Sequence, residues 1–488
     1  MRQSIHIFLK DARHLRIEIG LFLLVSTIYA WAGARPRYRF DGPEWLVAIA
    51  AIYLIARVVH AEPIPGDDQF WVTRPYHRMS LAGAKLLFIA AFVCAPICAA
   101  QIVMLVAGGF PLLSGVQGLL WSQVLIFAGS IFVAAVAAIT SGTALFMLAV
   151  LLLASIGFIA EILFPVFYSA SGLQRFPEPP ALEWVRQYVA LALLALTGAF
   201  VLHRQYRNRA TTLSRAAGAV GICLAGSAFL WLPSPLVYAV QSFVTKPPSA
   251  ANSVQVSVDA AVKRSGAVLV KGRDPLYRRV SIPLPIAVRG VPDGYDSRID
   301  ALSISFEWRG KRPWKPQVPP GVNPRSTSRG VSLDDATVLI DPALYRENRT
   351  SPLILTGAAY ITLFGETETR TVTLRERPVN VQDGLQCLIG DLNYLVCRSF
   401  FRWPARLVYA ESAGREYTFM NTMISYSPFP ADADLGLIAE RGGGEISTAK
   451  LTLTTQKPLA HFWRRFQIRG IRLSDFEGAE PPVAANLK

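Results

Sequence analysis

GAKLLFIAAFVCAPICAAQIVMLVA, residues 83–107, decides the fold class of this chain. The stretch contains one charged residue, Lys85, near its beginning, and about 20 mostly apolar residues are enough for a helix to cross the hydrocarbon core of a bilayer. Pro96 predicts a kink in this helix. Six further stretches have the same apolar character, at residues 17–33, 43–60, 118–139, 143–164, 184–202 and 216–240. We therefore expect an integral membrane α-helical bundle of about seven spans, with the transmembrane domain over residues 17–241.

The second half of the chain has the alternating pattern of β-strands. Apolar residues recur at every second position over residues 254–258, 280–288 and 302–308, which predicts strands that bury one face. Breaks rich in Pro and Gly separate these runs, and about 240 residues is large for one sandwich. We expect a linker over 242–253 and then an all-β region of one or two sandwich-like domains, divided near residue 380 into 254–380 and 381–488.

The distribution of Lys and Arg predicts the orientation, because these residues accumulate in cytoplasmic loops. Three basic groups fall on one side if the N-terminus is inside, and Arg35, Arg37 and Arg39 are the local exception. The three groups are Arg2, Lys10, Arg13 and Arg16; Arg74, Arg78 and Lys85; and Arg204, Arg207, Arg209 and Arg215. We expect a multi-pass protein of the bacterial plasma (inner) membrane, with a cytoplasmic N-terminus and an extracytoplasmic C-terminal half.

Residues 1–16 precede the first span and have helical periodicity. Basic residues fill the other faces of a helix whose apolar residues are Ile5, Phe8, Leu9, Ala12 and Leu15. This pattern predicts an amphipathic helix at the membrane interface. A cleaved signal peptide is the alternative, since small-x-small patterns occur at residues 30–34.

A net charge of +15 is a feature that nucleic-acid-binding proteins often have. The basic residues are spread over membrane-flanking loops and a β region of mixed sign, without a dense basic stripe interleaved with aromatic residues. We therefore expect contact with anionic membrane lipid and no nucleic-acid partner.

Cysteine positions agree with an external second half. Of the five cysteines, three lie within predicted spans and two, Cys387 and Cys397, lie in the β region. Nine residues separate this pair around a predicted turn, so a disulfide across a hairpin is geometrically reasonable in an oxidising compartment. Two buried thiols are the alternative.

Catalytic motifs are absent from the sequence. It contains no GxxxxGK[ST], GxSxG or HExxH motif, and its six His residues have no metal-ligand spacing. Ser447 and Lys450 match SxxK but lead into an alternating run, which favours a strand. We expect no enzymatic activity, no cofactor and no metal on this chain.

EPIPGDDQFWVTRPYHRMSLAGAKLLF, residues 62–88, connects the second and third predicted spans. Its acidic, Gly-containing approach, Pro-x-x-Arg turn and following Lys resemble the corresponding segment of type-2 ABC exporter permeases, over about residues 1–205 of the chain. The matching residues are Pro75, Arg78 and Lys85, and the N-terminal amphipathic helix is also similar.

The resemblance implies a loop that contacts a separate ABC ATPase subunit, with Arg74, Pro75, Arg78 and Lys85 as the candidate coupling residues. The alternative is that these cations hold the loop at an anionic leaflet. A seventh span and an external β region depart from the usual pattern of the family. A homodimer or a heterodimer is compatible with this arrangement.

Glu161 lies near the outer end of the fifth predicted span, where an unpaired carboxylate is costly. Arg186, near the outer start of the sixth, is its candidate partner in an intramembrane or interfacial charge pair. Two interpretations stay open for Glu161, an interfacial position and a place on a substrate or proton path.

Three functions follow from these observations. The first is a permease subunit of an ABC-type exporter with an external β module that contacts a substrate or an envelope partner. The second is a membrane-anchored extracytoplasmic binding or assembly module without transport activity. The third, an intramembrane or external enzyme, lacks a catalytic constellation.

Overall fold

The computed structural model contains a helical N-terminal part and a separate β-sheet part. It describes residues 2–34, 43–62, 78–110, 112–170, 180–208, 210–232, 236–237, 239–240, 243, 249–258, 268–270, 279–308, 313–314, 335–373, 379–382, 385–389, 395–399, 407–412, 415–419, 433–436 and 450–476.

Helices lie within all seven predicted spans, and the last of them ends at Trp231, before the predicted end at residue 240. Their bounds are α1 Arg2–His14, α2 Arg16–Gly33, α3 Pro43–His60, α4 Arg78–Ile89, α5 Ala95–Ala107, α6 Leu112–Ile139, α7 Thr143–Ala170, α8 Pro180–Asn208 and α9 Thr211–Trp231.

Within the described residues, five helices are long and apolar enough to cross a membrane. They are Arg16–Gly33, Met79–Ala107, Gly118–Ile139, Val185–Asn208 and Thr211–Leu230. A shorter apolar helix covers Thr143–Ile159 of α7, and α3 lies outside these five. Membrane character is thus evident, while the count of about seven crossings stays a prediction.

A π-helical turn, Ala90–Cys94, joins α4 to α5 immediately before Pro96. Proline lacks a backbone N–H, and its ring clashes with the carbonyl group four residues earlier in a regular α-helix. The wider π turn accommodates both effects, so that one apolar helix continues from Met79 to Ala107.

The first helix packs against the bundle through a face that contains Ile7, and Leu15, the residue after the helix, is buried as well. The Phe8 ring stacks on Phe92 with 5.6 Å between ring centroids and meets Phe88 edge-on at 6.4 Å. Ile5 and Leu9, two of the predicted apolar residues, are exposed. The helix therefore has one apolar face on the bundle and further apolar residues at its surface.

The β region contains thirteen described strands and one short helix, α10, Pro342–Asn348. The strands are β1 Gln255–Val258, β2 Val268–Val270, β3 Arg279–Arg289, β4 Asp296–Trp308, β5 Asp335–Ile340, β6 Leu353–Thr373, β7 Val379–Gln382, β8 Leu385–Ile389, β9 Leu395–Ser399, β10 Leu407–Ser412, β11 Arg415–Phe419, β12 Ala433–Gly436 and β13 Lys450–Ile471.

Antiparallel pairing arranges these strands in three sheets. The first has the order β1-β3-β2, with β5 also paired to β3; the second has the order β11-β10-β13-β6-β4; the third has the order β12-β9-β8-β7. Residues of β3 and β5 share one hydrophobic core with residues of β4, β6 and β13. The first two sheets therefore bury their apolar faces together.

The long pairing of β6 with β13 bears on the predicted division near residue 380. It runs from Thr373 opposite Lys450 to Leu353 opposite Ile471, with irregularities at three points. Since β6 precedes residue 380 and β13 follows it, one sheet crosses the predicted boundary. The segments 254–380 and 381–488 thus do not correspond to two separate sheets.

Candidate functional site

Two opposite charges are buried where α1 meets α4. Lys85 Nζ donates to Asp11 Oδ2 at 2.7 Å, and the two side chains are only 3% and 2% exposed. A buried charge is strongly disfavoured unless it is paired. This ion pair therefore fixes the position of α1 against α4.

Glu62 extends the pair into a network of four charges. It lies two residues after the end of α3, and its Oε2 is 3.5 Å from Lys85 Nζ. Lys10 Nζ of α1 donates to Glu62 Oε1 at 2.6 Å. The network of Lys10, Asp11, Glu62 and Lys85 thus joins α1, α4 and the chain that leaves α3, with two positive and two negative groups.

The electrostatics of the network favour ionised Glu62. Burial alone would raise the pKa of this carboxyl group, but the charge of Lys85 and the hydrogen bond from Lys10 outweigh burial and hold the pKa below its ordinary value. Glu62 consequently remains an anion well below neutral pH.

An apolar layer and one phenol surround the network. Ile7, Leu81 and Phe88 belong to the same buried cluster as Tyr206 of α8. The Tyr206 hydroxyl is buried and has no hydrogen-bond partner among the described residues, while Asp11 and Glu62 both act on it electrostatically. The charges of Asp11, Glu62 and Lys85 are therefore shielded from water, which strengthens their mutual attraction.

Three further polar contacts tie α3 to its neighbours near the network. Arg57 donates to Glu18 of α2 at 3.2 Å. The His60 ring lies between two hydroxyl groups, with Nε2 3.1 Å from Thr140 Oγ1 and Nδ1 3.4 Å from Thr143 Oγ1. The last turn of α3 is thus held by α2 and by the turn between α6 and α7.

This arrangement is suited to transmitting a displacement between α1, α4 and the chain that leaves α3. Its cations and anions are paired with one another, and no group of residues suited to a metal ion occurs within the described parts of the chain. Movement of Glu62 or of α4 would shift α1 as well, because the ion pairs cannot be stretched in an apolar setting without a large cost.

Among the predicted coupling residues, Lys85 is the one whose side chain the structure describes, and it belongs to this network. Arg78 is the first residue of α4, but its side chain is not described, and Arg74 and Pro75 lie outside the described residues. The prediction placed Lys85 at the start of the third span and counted it among the coupling residues. The structure buries its side chain inside the bundle.

The predicted pair of Glu161 and Arg186 stays a prediction. Glu161 lies within α7, but its side chain is not described. Arg186, in α8, donates through a guanidinium nitrogen to the Leu232 carbonyl oxygen at 2.5 Å. One partner of Arg186 is therefore the chain that follows α9.

The predicted disulfide partners face each other in the backbone. The register of β8 with β9 places Cys387 opposite Cys397, although their side chains are not described, and the described cysteines Cys94, Cys98 and Cys223 are free. The disulfide itself stays a prediction.

Sequence reasoning missed Lys10, Asp11, Glu62 and Tyr206 as site residues. The available signal was Asp11, which lies four residues from both Ile7 and Leu15 and therefore on the buried face of α1. An acid on an apolar helical face requires a cation, and Lys85 was the charged residue within an otherwise apolar span.

No family model and no curated protein matches the chain.

Proposed function

We propose that this chain is the membrane-spanning permease subunit of an ABC-type exporter, energised by a separate ATPase chain. The observation that carries the proposal is the network of Lys10, Asp11, Glu62 and Lys85. It anchors both ends of the segment from Glu62 to Lys85, which contains the candidate coupling residues Arg74, Pro75 and Arg78, since Glu62 follows α3 and Lys85 belongs to α4.

The physical reason is mechanical. A loop that receives ATPase movement must pass it to the spans, and a loop attached only by flexible ends would absorb the movement. Here Glu62 and α4 are connected through Lys85 to the interfacial helix α1. Displacement of the loop therefore moves α1, α3 and α4 together.

The proposed topology has seven spans, a cytoplasmic N-terminus and an extracytoplasmic β region in a bacterial inner membrane. The excess of Lys and Arg before α2, around residues 74–85 and around residues 204–215 supports this orientation. The β region, built as one or two sandwich-like domains, would contact a substrate or an envelope partner. A homodimer or a heterodimer would complete the pathway.

A matched pair of double variants tests the coupling proposal. Arg74→Glu with Arg78→Glu places two anions on the coupling loop, and Arg207→Glu with Arg209→Glu makes the same change near the end of α8. Tagged full-length protein would be purified from membranes of its native host, and co-purifying ATPase would be identified by mass spectrometry of peptides that contain a Walker A motif.

We expect the wild-type chain and the second variant to retain the ATPase, while the first variant loses it and still inserts in the membrane. Leaflet anchoring predicts equal, modest effects at both places. Equal effects, or the lack of any ATPase with the wild-type chain, would favour a membrane-anchored binding or assembly module.

A further inference from the structure

The β region touches the helical part through one face of its second sheet. Tyr360 of β6 is buried in a cluster with Val185 of α8 and with Val237, and Trp463 of β13 packs against the same cluster. Tyr360 lies opposite Trp463 in the register, so both side chains are on the same face of the sheet. This face packs against the N-terminal end of α8.

The other face of the same sheet lines the core of the β region. Phe462 and Phe466 belong to that core. Side chains alternate along a strand, so Arg465, Gln467 and Arg469 share the face of Trp463, and all three are exposed. The exposed arginines are therefore on the side of the sheet that is turned toward the membrane helices.

Small side chains flank Arg465 on the neighbouring strands, whereas Ile354 and Glu307 flank Arg469. The register gives three rows, Arg465 with Ala358 and Ser303, Gln467 with Thr356 and Ser305, and Arg469 with Ile354 and Glu307. Glu307 is the one acidic residue in these three rows, and it lies two strands away from Arg469. These rows carry a net positive charge, since two arginines face one glutamate, and Arg465 and Arg469 are both exposed.

Both arginines follow Trp463, which packs against the helical part, on the same strand. Arg465 is two residues from Trp463, or about 7 Å, and Arg469 is about 13 Å further. The Arg465 guanidinium lies 4.8 Å from the centroid of the Trp463 ring. A Trp ring next to a long cationic side chain is the combination that accumulates at the headgroup level of membranes.

We propose that this face of the second sheet lies on the bilayer surface and that Arg465 and Arg469 bind the phosphates of anionic phospholipids. On the proposed topology these lipids belong to the outer leaflet. A guanidinium group presents parallel N–H donors that fit two phosphate oxygens. The site is independent of any ATPase, and its contact continues the interface formed by Tyr360 and Trp463.

Photo-crosslinking from the middle of the face tests the proposal. A benzophenone amino acid would replace Gln467 in the full-length chain, reconstituted in vesicles of phosphatidylcholine and phosphatidylglycerol. After illumination, mass spectrometry would identify adducts. We expect phospholipid adducts in which phosphatidylglycerol exceeds its share of the vesicle lipid.

Two controls separate this site from general proximity to lipid. Arg465→Gln and Arg469→Gln should each lower the phosphatidylglycerol adduct about fivefold, whereas Arg346→Gln with Arg472→Gln should not, because α10 and the segment after β13 contact β3 of the first sheet. A benzophenone at position 346 should give no lipid adduct. Adducts only to protein, no adduct at 467, or lipid adducts indifferent to Arg465 and Arg469 would overturn the proposal.

Discussion

At the residue scale, the pairing of Lys85 with Asp11 controls whether two charges are tolerated inside the bundle. Lys85→Met would leave the Asp11 carboxylate, 2% exposed, without its cation. We expect the free energy of unfolding to fall by about 3–5 kcal/mol, as for other buried pairs that lose one partner. The midpoint of thermal unfolding in detergent would report the loss.

A double variant and an exposed lysine complete this measurement. Asp11→Leu with Lys85→Met removes both charges and should be much less destabilising than Lys85→Met alone, because apolar side chains can replace a buried pair. Lys10→Met should cost less than about 1 kcal/mol, since Lys10 is 44% exposed and solvent screens its contact with Glu62. Equal losses for Lys85→Met and the double variant would contradict this account.

The depressed pKa of Glu62 predicts a dependence on pH. A carboxyl group whose pKa is lower in the folded state stabilises the fold above its unfolded pKa, here 4.5, and this stabilisation disappears as the pH falls through the folded pKa. The wild-type protein should therefore unfold at a higher temperature than the Glu62→Gln variant at neutral pH. The difference between the two unfolding temperatures should disappear under acidic conditions. A difference in unfolding temperature that increases below pH 4.5 would contradict a lowered pKa of Glu62 in the folded protein.

At the element scale, α6 and α8 approach each other at Gly198. An added Cβ there would lie 2.9 Å from the Phe132 Cα and 3.1 Å from the Ile131 carbonyl oxygen. These are backbone atoms, so the two helices must separate. We expect Gly198→Ala to destabilise the protein by about 1–3 kcal/mol.

Gly226 of α9 provides the matched control, because an added Cβ there meets nothing within 4 Å. Gly226→Ala should be neutral or stabilising by up to about 1 kcal/mol, which is the difference in helix propensity. Thermal unfolding of both variants in the same detergent measures the contrast. Similar shifts for Gly198 and Gly226 would exclude close helix packing as the cause.

The hairpin of β8 and β9 predicts the state of Cys387 and Cys397. Directly opposed residues of antiparallel strands have Cα atoms about 4.5–5.5 Å apart, which is within the range of a disulfide. Denatured protein should therefore expose three of its five thiols to a maleimide without reductant, and all five after reduction. Five reactive thiols from the start would exclude the bridge.

Replacing one of these cysteines by Ser should lower the free energy of unfolding by about 2–4 kcal/mol, at the lower end for so short a loop.

The local sequence pattern predicted the helices and strands well, but it did not predict which residues distant in sequence they contact. The apolar stretch at 83–107 lies within the helical segment from Arg78 to Ala107, because hydrophobic length is a property of the segment itself. Asp11 and Lys85 are 74 residues apart, and β6 meets β13 across a similar distance in sequence. Neither alternation nor composition contains such long-range pairings, so both the charge network and the sheet that crosses residue 380 required the structure.

At the scale of the whole molecule, the two parts meet through α8 and β6. The cluster of Val185, Val237 and Tyr360 joins the helical bundle to the same sheet whose β13 crosses the predicted domain boundary. The ion network, by contrast, lies near the opposite end of the bundle, where α3 ends and α4 begins. A movement at the network would therefore reach the β region through the length of the helices.

Topology decides whether this route connects two sides of a membrane. Five crossings and seven crossings are both odd, so a reporter fused after residue 250 should be outside in either case if the N-terminus is inside. A reporter fused after residue 70 distinguishes five crossings from seven. If α3 crosses, residues 63–77 are cytoplasmic, as Arg74 and the following Arg78 and Lys85 indicate; if α3 does not cross, they are outside.

We expect alkaline phosphatase to be active after residue 250 and inactive after residue 70, with green fluorescent protein giving the reverse result. The physical reason is that Arg74, Arg78 and Lys85 cross a membrane poorly, whereas α3 is apolar apart from its ends. Active phosphatase after residue 70 would place the candidate coupling loop on the wrong side for a cytoplasmic ATPase. The exporter proposal would then fail, while the charge network and the fold of the β region would stand.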